Sequence, residues 1–180
     1  MRTIAGNGLT LEPQTVAHAE RMFVVLSDPA IYEYENEPPP SLEWLCTRFA
    51  KLESRQSADG SEQWLNWVIR IPTSDLVGYV QATVFSNGRA AIAYELSSAY
   101  WGRGFGRRAV QSMMTELIER YHVHTITAVL KIQNRRSLRL LERLGFSLAS
   151  PDAHAGHKIE TGEVLMQLDV SSARPEGLFK

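Results

Sequence analysis

The sequence predicts an α+β fold, a single domain in which a central, mostly antiparallel sheet is flanked by helices. Three observations lead to this prediction. The chain has 180 residues, of which 44% are hydrophobic, enough for one core and too few for two comfortable ones. Apolar residues recur at helical spacing in some segments and at strand spacing in others. In chain order, the segments read helix, helix, three strands, helix, strand, helix and closing strands.

The first two helices are separated by an acidic, proline-rich loop. Helical spacing predicts the first over residues 15–26, and Asp28-Pro29 ends it. Ser41 is a good N-cap for the second, which carries apolar residues on one face. The loop between them holds Pro38-Pro39-Pro40 and three carboxylates, namely Glu33, Glu35 and Glu37. These acids are expected to be solvated.

Three antiparallel strands are predicted in the middle of the chain. Residues 64–70 and 76–85 form a hairpin, with turn residues 72–75 between them. Asn87-Gly88 is a strong hairpin turn signal that leads into a third strand over residues 90–96.

The second half of the chain alternates helix and strand. A glycine cluster at residues 102–106 precedes a helix with a core-facing stripe that ends near Tyr121. A strand over 125–131 follows, and Asn134 then caps a helix that stops at Gly145. Strands over 146–148 and 163–170 close the domain, and the tail 171–180 is expected to be frayed.

Composition excludes several classes of protein. Nineteen Lys+Arg against twenty Asp+Glu give a net charge of −1, which argues against a dedicated nucleic-acid binder. The single cysteine, Cys46, excludes an intramolecular disulfide and a Cys-rich zinc site. No carboxylate or cysteine completes the histidine pairs His122/His124 and His154/His157, so no metal is expected. With no apolar run of about 20 residues and no signal-peptide core, a soluble cytoplasmic protein without a membrane partner is expected.

The segment 93–107 predicts an anion site. A strand runs into a glycine-rich turn that opens a helix, where free backbone N–H groups and the helix dipole favour negative charge. Arg103, Arg107 and Arg108 add three positive charges at the same place. A phosphate or pyrophosphate is the expected ligand, and a glycine-rich turn without a ligand is the alternative.

Two common phosphate motifs do not fit this segment. A mononucleotide P-loop closes with Gly-Lys-Ser/Thr, whereas Gly106 is followed by Arg107-Arg108. The spacing of Gly102, Gly104 and Gly106 also departs from the dinucleotide fingerprint Gly-x-Gly-x-x-Gly.

The segment resembles motif A of the GCN5-related N-acetyltransferases (the GNAT superfamily), whose signature is Arg/Gln-x-x-Gly-x-Gly/Ala. Gly104 and Gly106 match, and Trp101 takes the first position. Tyr-Trp-Gly-basic-Gly and Ser27-Asp28-Pro29 are similar to the RimJ/RimL branch, named for ribosomal-protein N-acetyltransferases. Residues 134–137 and 141–146 resemble the family's motif B, and the likeness covers roughly residues 8–170.

This resemblance implies acetyl-CoA as cosubstrate. Its pantetheine arm would pair with residues 96–98 where two central strands splay apart, and Asn134 would hold the arm from the other side. The pyrophosphate would rest on N–H groups at the start of the helix. The cofactor-binding residues so implied are Leu96, Ser97, Ser98, Arg103, Gly104, Phe105, Gly106, Arg107, Arg108 and Asn134.

Two residues are candidates for catalysis. Glu95 is a charged residue within an otherwise apolar strand near the cleft, which indicates a general base acting directly or through water. The alternatives are that Glu95 faces solvent or pairs with an arginine, and Tyr94 replaces it if a bulge changes the facing. Many family members carry a tyrosine acid where this chain has Leu141, so Ser137 is the candidate acid. Ser137 is otherwise a residue that satisfies the helix backbone.

The resemblance implies an N-acetyltransferase that acts on a primary amine by direct attack in a ternary complex. The amine belongs to a protein N-terminus or to a small molecule, and the protein is a monomer or homodimer. The family's first helix–loop–helix lines the acceptor side, so the resemblance gives Glu33, Glu35 and Glu37 a second interpretation, in which they attract a cationic amine. Because Leu141 cannot donate a proton, a non-catalytic CoA-binding sensor or regulatory module is the second reading. A nucleic-acid-associated protein that touches the ribosome is the third, and it rests on analogy with the branch alone.

Overall fold

One mixed sheet organises the chain. The computed structural model describes residues 1–34, 36–154 and 158–170, so Glu35, His157 and the tail 171–180 lie outside the described residues. Within the described part, eight strands form the sheet in the order β1-β2-β3-β4-β5-β6-β8-β7. Their bounds are β1 (Ile4–Gly6), β2 (Leu9–Pro13), β3 (Glu62–Arg70), β4 (Leu76–Phe85), β5 (Arg89–Leu96), β6 (Thr125–Lys131), β7 (Ser147–Leu148) and β8 (Glu163–Asp169).

Four α-helices occur in the same described ranges: α1 (Ala19–Leu26), α2 (Leu42–Leu52), α3 (Phe105–Tyr121) and α4 (Arg135–Arg143). Short 3-10 turns precede α1 and join other elements, at Val16–His18, Pro29–Tyr32, Ser98–Tyr100 and Pro151–His154. This arrangement confirms the predicted α+β domain with helices flanking one sheet.

The sequence prediction is wrong at the start of the chain, where it placed no strand. β1 and β2 form an antiparallel hairpin that extends the sheet beside β3. Its turn is Asn7-Gly8, both with positive φ (53° and 70°). β1 has only three residues and ends in glycine, so it is too short for an alternating pattern to show.

Local side-chain chemistry defines the helix ends as predicted. Ser41 Oγ accepts a hydrogen bond from Trp44 N at 3.1 Å and so caps α2. Asn134 Oδ1 accepts from Ser137 N at 3.1 Å at the start of α4, and Gly145 follows that helix with φ 91°. The first helix is shorter than predicted, because residues 16–18 form a 3-10 turn before α1.

The helices divide between the two faces of the sheet. α3 and α4 pack on one face through a large core that includes Val110, Met113 and Leu141. α1 and α2 pack on the other face through a smaller core around Met22 and Phe49. Successive side chains of a strand point to opposite faces, so each residue at the end of β5 faces one helix layer or the other.

β5 and β6 separate after a short parallel contact. Their register comprises only three pairs: Arg89 with Thr125, Ala90 with Ile126 and Ala91 with Thr127. β5 nevertheless stays paired with β4 as far as Leu96, and β6 stays paired with β8 as far as Lys131. The two central strands therefore splay apart, as the prediction required, and leave a wedge-shaped gap between them.

The N-terminal hairpin is fastened to α3. The side chain of Arg2 donates two hydrogen bonds to the buried Glu116 carboxylate, at 2.9 and 2.7 Å to Oε2. Trp67 Nε1 donates to Arg2 O at 3.0 Å, and Arg108 Nη1 donates to Asn7 O at 2.7 Å. The hairpin thus steadies the helix whose first turn borders the gap.

Gly78 of β4 allows close approach of β5 at the site of the splay. A Cβ atom at Gly78 would lie 2.1 Å from Glu95 O, far inside contact distance. We expect Gly78→Ala to lower the free energy of unfolding by about 1–3 kcal/mol, because the β5 backbone must move.

Chemical denaturation measures this cost. Gly60→Ala is the control, since a Cβ there meets nothing within 4 Å and only the positive φ of 71° opposes it. A Gly78→Ala protein as stable as the wild type would contradict the packing argument.

Candidate active site

Two cavities meet in the gap between β5 and β6. The larger, of about 780 Å³, lies on the α1–α2 side of the sheet. The smaller, of about 560 Å³, lies between the turn before α3 and the start of α4. Six residues line both and so form the junction of the two cavities: Ile31, Tyr34, Tyr94, Glu95, Asn134 and Ser137.

The first turn of α3 lines the smaller cavity and suits an anion. Gly102 and Gly104 have φ of 74° and 77°, a left-handed backbone that favours glycine. Gly104 is the N-cap and no side chain caps the helix, so the N–H groups of the first turn remain without helix partners. Gly104, Phe105 and Gly106 all line the cavity. An anion can therefore be accepted by the N–H groups at the start of α3.

The three predicted arginines point in different directions. Arg107 lines the smaller cavity. Arg103 lies over the Tyr100 ring, 5.5 Å from its centroid. Arg108 turns back to Asn7 and lies 4.6 Å from the centroid of the Phe105 ring. Of the three predicted charges, Arg107 is the one that the structure places in the cavity wall.

Further positive charge comes from α4, which the sequence reasoning missed. Four arginines of this helix line the smaller cavity: Arg135, Arg136, Arg139 and Arg143. Arg136 also lies 3.5 Å from the centroid of the Trp101 ring, across the cavity from its own helix. The spacing of three and four residues between Arg136, Arg139 and Arg143 was the available signal, because it places them on one helix face.

The end of β5 offers fewer backbone groups than predicted. Ser97 N donates to Val77 O at 2.9 Å, and Ser98 N donates to Asp28 Oδ2 at 2.7 Å. Trp101 Nε1 donates to Leu96 O at 2.7 Å. Backbone hydrogen bonding alternates sides along a strand, so the N–H of Leu96 points into the gap while those of Ser97 and Ser98 are engaged within the protein.

Asp28 ties the loop after α1 to the end of β5. Its carboxylate accepts hydrogen bonds from Ala30 N at 3.1 Å and Ser98 N at 2.7 Å. Hydrogen bonding from Ser98 and Ala30 holds the pKa of Asp28 below its ordinary value. The same loop carries Ile31 and Tyr34, which line both cavities. The Ser27-Asp28-Pro29 segment therefore positions part of the wall that the two cavities share.

Glu95 lies at the junction and is paired in register with Tyr79. Burial, the charge of Glu95 and a hydrogen bond with it raise the pKa of Tyr79 well above its ordinary value. Burial and the charge of Glu95 likewise raise the pKa of Tyr32. Glu95 is half-buried and faces the α1–α2 side, where a base would meet a molecule in the larger cavity.

Tyr94 lies on the opposite face of β5 and reaches α4. Its hydroxyl donates to Ser137 O at 3.4 Å, and burial raises its pKa to about 12, so the phenol is neutral at physiological pH. Ser137 N donates to Asn134 Oδ1, and a side-chain hydrogen bond with Ser137 partly offsets the rise in the pKa of Tyr94. Leu141 is buried and lines the larger cavity without a proton to donate.

Two further features, a metal site and a membrane-spanning helix, were looked for in the described ranges. Among those residues, no three histidine, cysteine, aspartate or glutamate side chains come together as a metal site. No helix described is long and apolar enough to cross a membrane.

The chain belongs to the GNAT acetyltransferases. Residues 8–147 match the family described as the acetyltransferase (GNAT) domain. With the splayed strands and the uncapped first turn of α3, this membership makes the protein an N-acetyltransferase. The family uses acetyl-CoA as acyl donor.

Other N-acetyltransferases are similar to this chain in sequence or in structure. An uncharacterized N-acetyltransferase p20 of Bacillus licheniformis is 26% identical over 148 residues, 81% of this chain and 83% of that protein. The structure of RimL, a ribosomal L7/L12 α-N-protein acetyltransferase, in complex with coenzyme A has a TM-score of 0.76 at 16% identity, over 93% of this chain and 97% of that one. A chimeric spermidine N-acetyltransferase from Vibrio cholerae and human sequences has a TM-score of 0.75 at 17% identity, over 92% and 98%. At these identities the likeness to solved structures concerns the fold.

The different placements of Arg107 and Arg108 predict different consequences of their loss. Arg107→Ala should weaken acetyl-CoA binding by roughly threefold to tenfold, because it removes a charge from the cavity wall. Arg108→Ala should instead lower the free energy of unfolding by about 1 kcal/mol, since it removes the hydrogen bond to Asn7.

Calorimetric titration of acetyl-CoA and denaturant unfolding separate the two effects. The Arg107 contribution should shrink at high salt, which screens exposed charges. Equal acetyl-CoA affinity in Arg107→Ala and the wild type would show that Arg107 faces away from the phosphates.

Proposed function

We propose that the protein transfers an acetyl group from acetyl-CoA in the smaller cavity to a primary amine in the larger one, by direct attack in a ternary complex. The observation that supports this is the junction, where both cavities open onto Glu95. Direct attack requires two substrates to meet without a covalent enzyme intermediate. The single cysteine, Cys46, is on α2 and does not line either cavity.

The residues of the smaller cavity fit the acyl donor. The free N–H groups at 105–107, with Arg107 and the α4 arginines, would hold its phosphates. Leu96 N–H and Asn134 Nδ2 would donate to the pantetheine arm, since Asn134 Oδ1 is already engaged by Ser137. When bound, acetyl-CoA supplies the thioester carbonyl. Among the ten predicted cofactor residues, Ser97, Ser98, Arg103 and Arg108 make contacts within the protein instead.

Glu95 would take the proton of the amine. An α-amine with a pKa near ~8 costs about 1 kcal/mol to deprotonate at pH 7, whereas a lysine-like amine near ~10.4 costs about 4.6 kcal/mol. A base is therefore nearly dispensable for the first and valuable for the second. As nitrogen bonds to the carbonyl carbon and the carbon–sulfur bond breaks, the proton leaves nitrogen for Glu95 or a water held by it.

The departing thiolate needs a proton, and two hydroxyls lie at the junction. Ser137 lines both cavities and is the proposed donor. Tyr94 is the second candidate, because its hydroxyl reaches the same turn of α4. Either hydroxyl would serve in place of the absent tyrosine at position 141.

A protein α-amine is the acceptor by analogy with the RimJ/RimL branch, and a small-molecule amine is equally consistent with the fold. The structure of RimL and that of the spermidine enzyme resemble this chain to the same degree. The non-catalytic sensor is the competing function, and release of the CoA thiol on addition of amines separates the two. A sensor binds acetyl-CoA and releases no thiol.

The pH dependence of Glu95→Gln tests the proposed base. This substitution keeps the side-chain size but removes proton acceptance, so the rate should fall by roughly 10²–10⁴ at neutral pH. The loss should shrink as pH rises toward the pKa of the amine, because more acceptor arrives neutral. Thiol release from pH 6 to 9 on the best acceptor measures both effects. A profile that follows the wild type would mean that positioning alone drives the reaction.

Ser137→Ala and Tyr94→Phe distinguish the two proton donors. Removal of the true donor should lower kcat at least tenfold with acetyl-CoA affinity retained, and high pH should not restore it, since a more neutral amine does not help the thiolate to leave. We expect the larger loss in Ser137→Ala. Unchanged kcat in both variants would show that water protonates the thiolate.

A further inference from the structure

Arg48 is an unpaired cation in the wall of the larger cavity. Among the described residues that line this cavity, it is the one lysine or arginine, against the carboxylates of Glu37 and Glu95. No ion pair or hydrogen bond among the described residues includes Arg48. Its guanidinium lies 5.5 Å from the centroid of the Trp44 ring, which orients it by a cation–π contact.

α2 presents Arg48 to the cavity by its helical spacing. Trp44, Arg48 and Leu52 follow one another at four-residue steps and all line the cavity. The neighbouring stripe of Leu45 and Phe49 is buried against the sheet. The guanidinium is therefore held on a helix that is fixed by its own core contacts.

Arg48 and Glu95 both act on the Tyr79 hydroxyl. Burial, the charge of Glu95 and a hydrogen bond with it raise the pKa of Tyr79, and the charge of Arg48 opposes part of that rise. The cavity thus holds a carboxylate at the junction and a separate cation near the same tyrosine.

We propose that the amine acceptor carries a carboxylate on the same molecule, and that Arg48 binds it while the amine meets Glu95. This inference rests on the proposed function. A guanidinium presents a planar fork of donors that matches a carboxylate. Glu37 adds to the attraction for the ammonium end and leaves Arg48 to select the anionic end. A polyamine would instead bring a second ammonium group into the cavity with Arg48.

Matched acceptors test the selection. Each ω-amino acid from glycine to 5-aminopentanoate is compared with its own carboxamide, and peptides with Asp at the second position are compared with the Asn forms. The quantity is the ratio of kcat/KM for carboxylate over carboxamide, measured by thiol release in wild type and Arg48→Met. Comparing this ratio between the two proteins cancels the difference in amine pKa within each pair.

The ratio should be about twofold to fivefold higher in the wild type than in Arg48→Met, as expected for one exposed charge pair. Arg48→Lys should retain part of the difference. Arg21→Met, which removes an exposed arginine of α1 outside the cavity, should leave the ratio unchanged. The acetyl-CoA shift in melting temperature confirms that each variant is folded and binds the acyl donor.

The outcomes distinguish failure of the Arg48 proposal from failure of the proposed acetyl transfer. The same ratio in wild type and Arg48→Met overturns the inference while leaving acetyl transfer in place. No thiol release with any amine overturns the proposed function and this inference together. An effect in the amino-acid series identifies a free amino acid as the source of the carboxylate, and an effect confined to the peptides identifies a peptide N-terminus.

Discussion

The parting of β5 and β6 is the constraint on which the site depends. Three residue pairs join these strands, after which each keeps its other neighbour and the gap opens. A parallel pair that continued would satisfy the N–H of Leu96 with β6. Because the pair ends, that N–H is left for a ligand, and both cavities reach the same point in the sheet.

Consecutive side chains of a strand point to opposite faces of the sheet, so neighbouring residues at the end of β5 face different helix layers. Tyr94 turns toward α4 and the smaller cavity, whereas Glu95 turns toward α1, α2 and the larger one. Consecutive residues can therefore address the two substrates of one transfer. Asp28 holds the loop beside them through Ser98, and Gly78 leaves room for the β5 backbone at Glu95.

The arginines show how one residue type serves both fold and site. Arg2 and Arg108 fasten the N-terminal hairpin to α3, and neither lines a cavity. Arg107 and the α4 arginines surround the smaller cavity, where they favour phosphates. Of the described residues that line the larger cavity, Arg48 is the one lysine or arginine, and it lies over Trp44. Their sequence neighbours do not distinguish these roles, because each role depends on which distant element the side chain meets.

Local sequence patterns predict much of the fold. Strands β4 and β6 lie at their predicted bounds, and Ser41 and Asn134 cap the predicted helices, because period and capping depend on near neighbours. The glycine-rich turn and motif B likewise indicate the family. The N-terminal hairpin was not predicted, because β1 is only three residues long. It joins the sheet through β2, which pairs with β3.

The sequence by itself predicted the order of the elements from the first helix onward, the glycine-rich turn before α3 and the junction residues Glu95, Asn134 and Ser137. Only the tertiary structure decided which groups are available to a ligand. Ser98 N is engaged by Asp28, seventy residues earlier, and Arg108 by Asn7, whereas Arg48 lies over Trp44 with no ion pair or hydrogen bond in the described part of the chain. Contacts between residues far apart in the sequence produce no regular spacing of residue types. They cannot be read from local pattern, because they depend only on which groups the fold brings together.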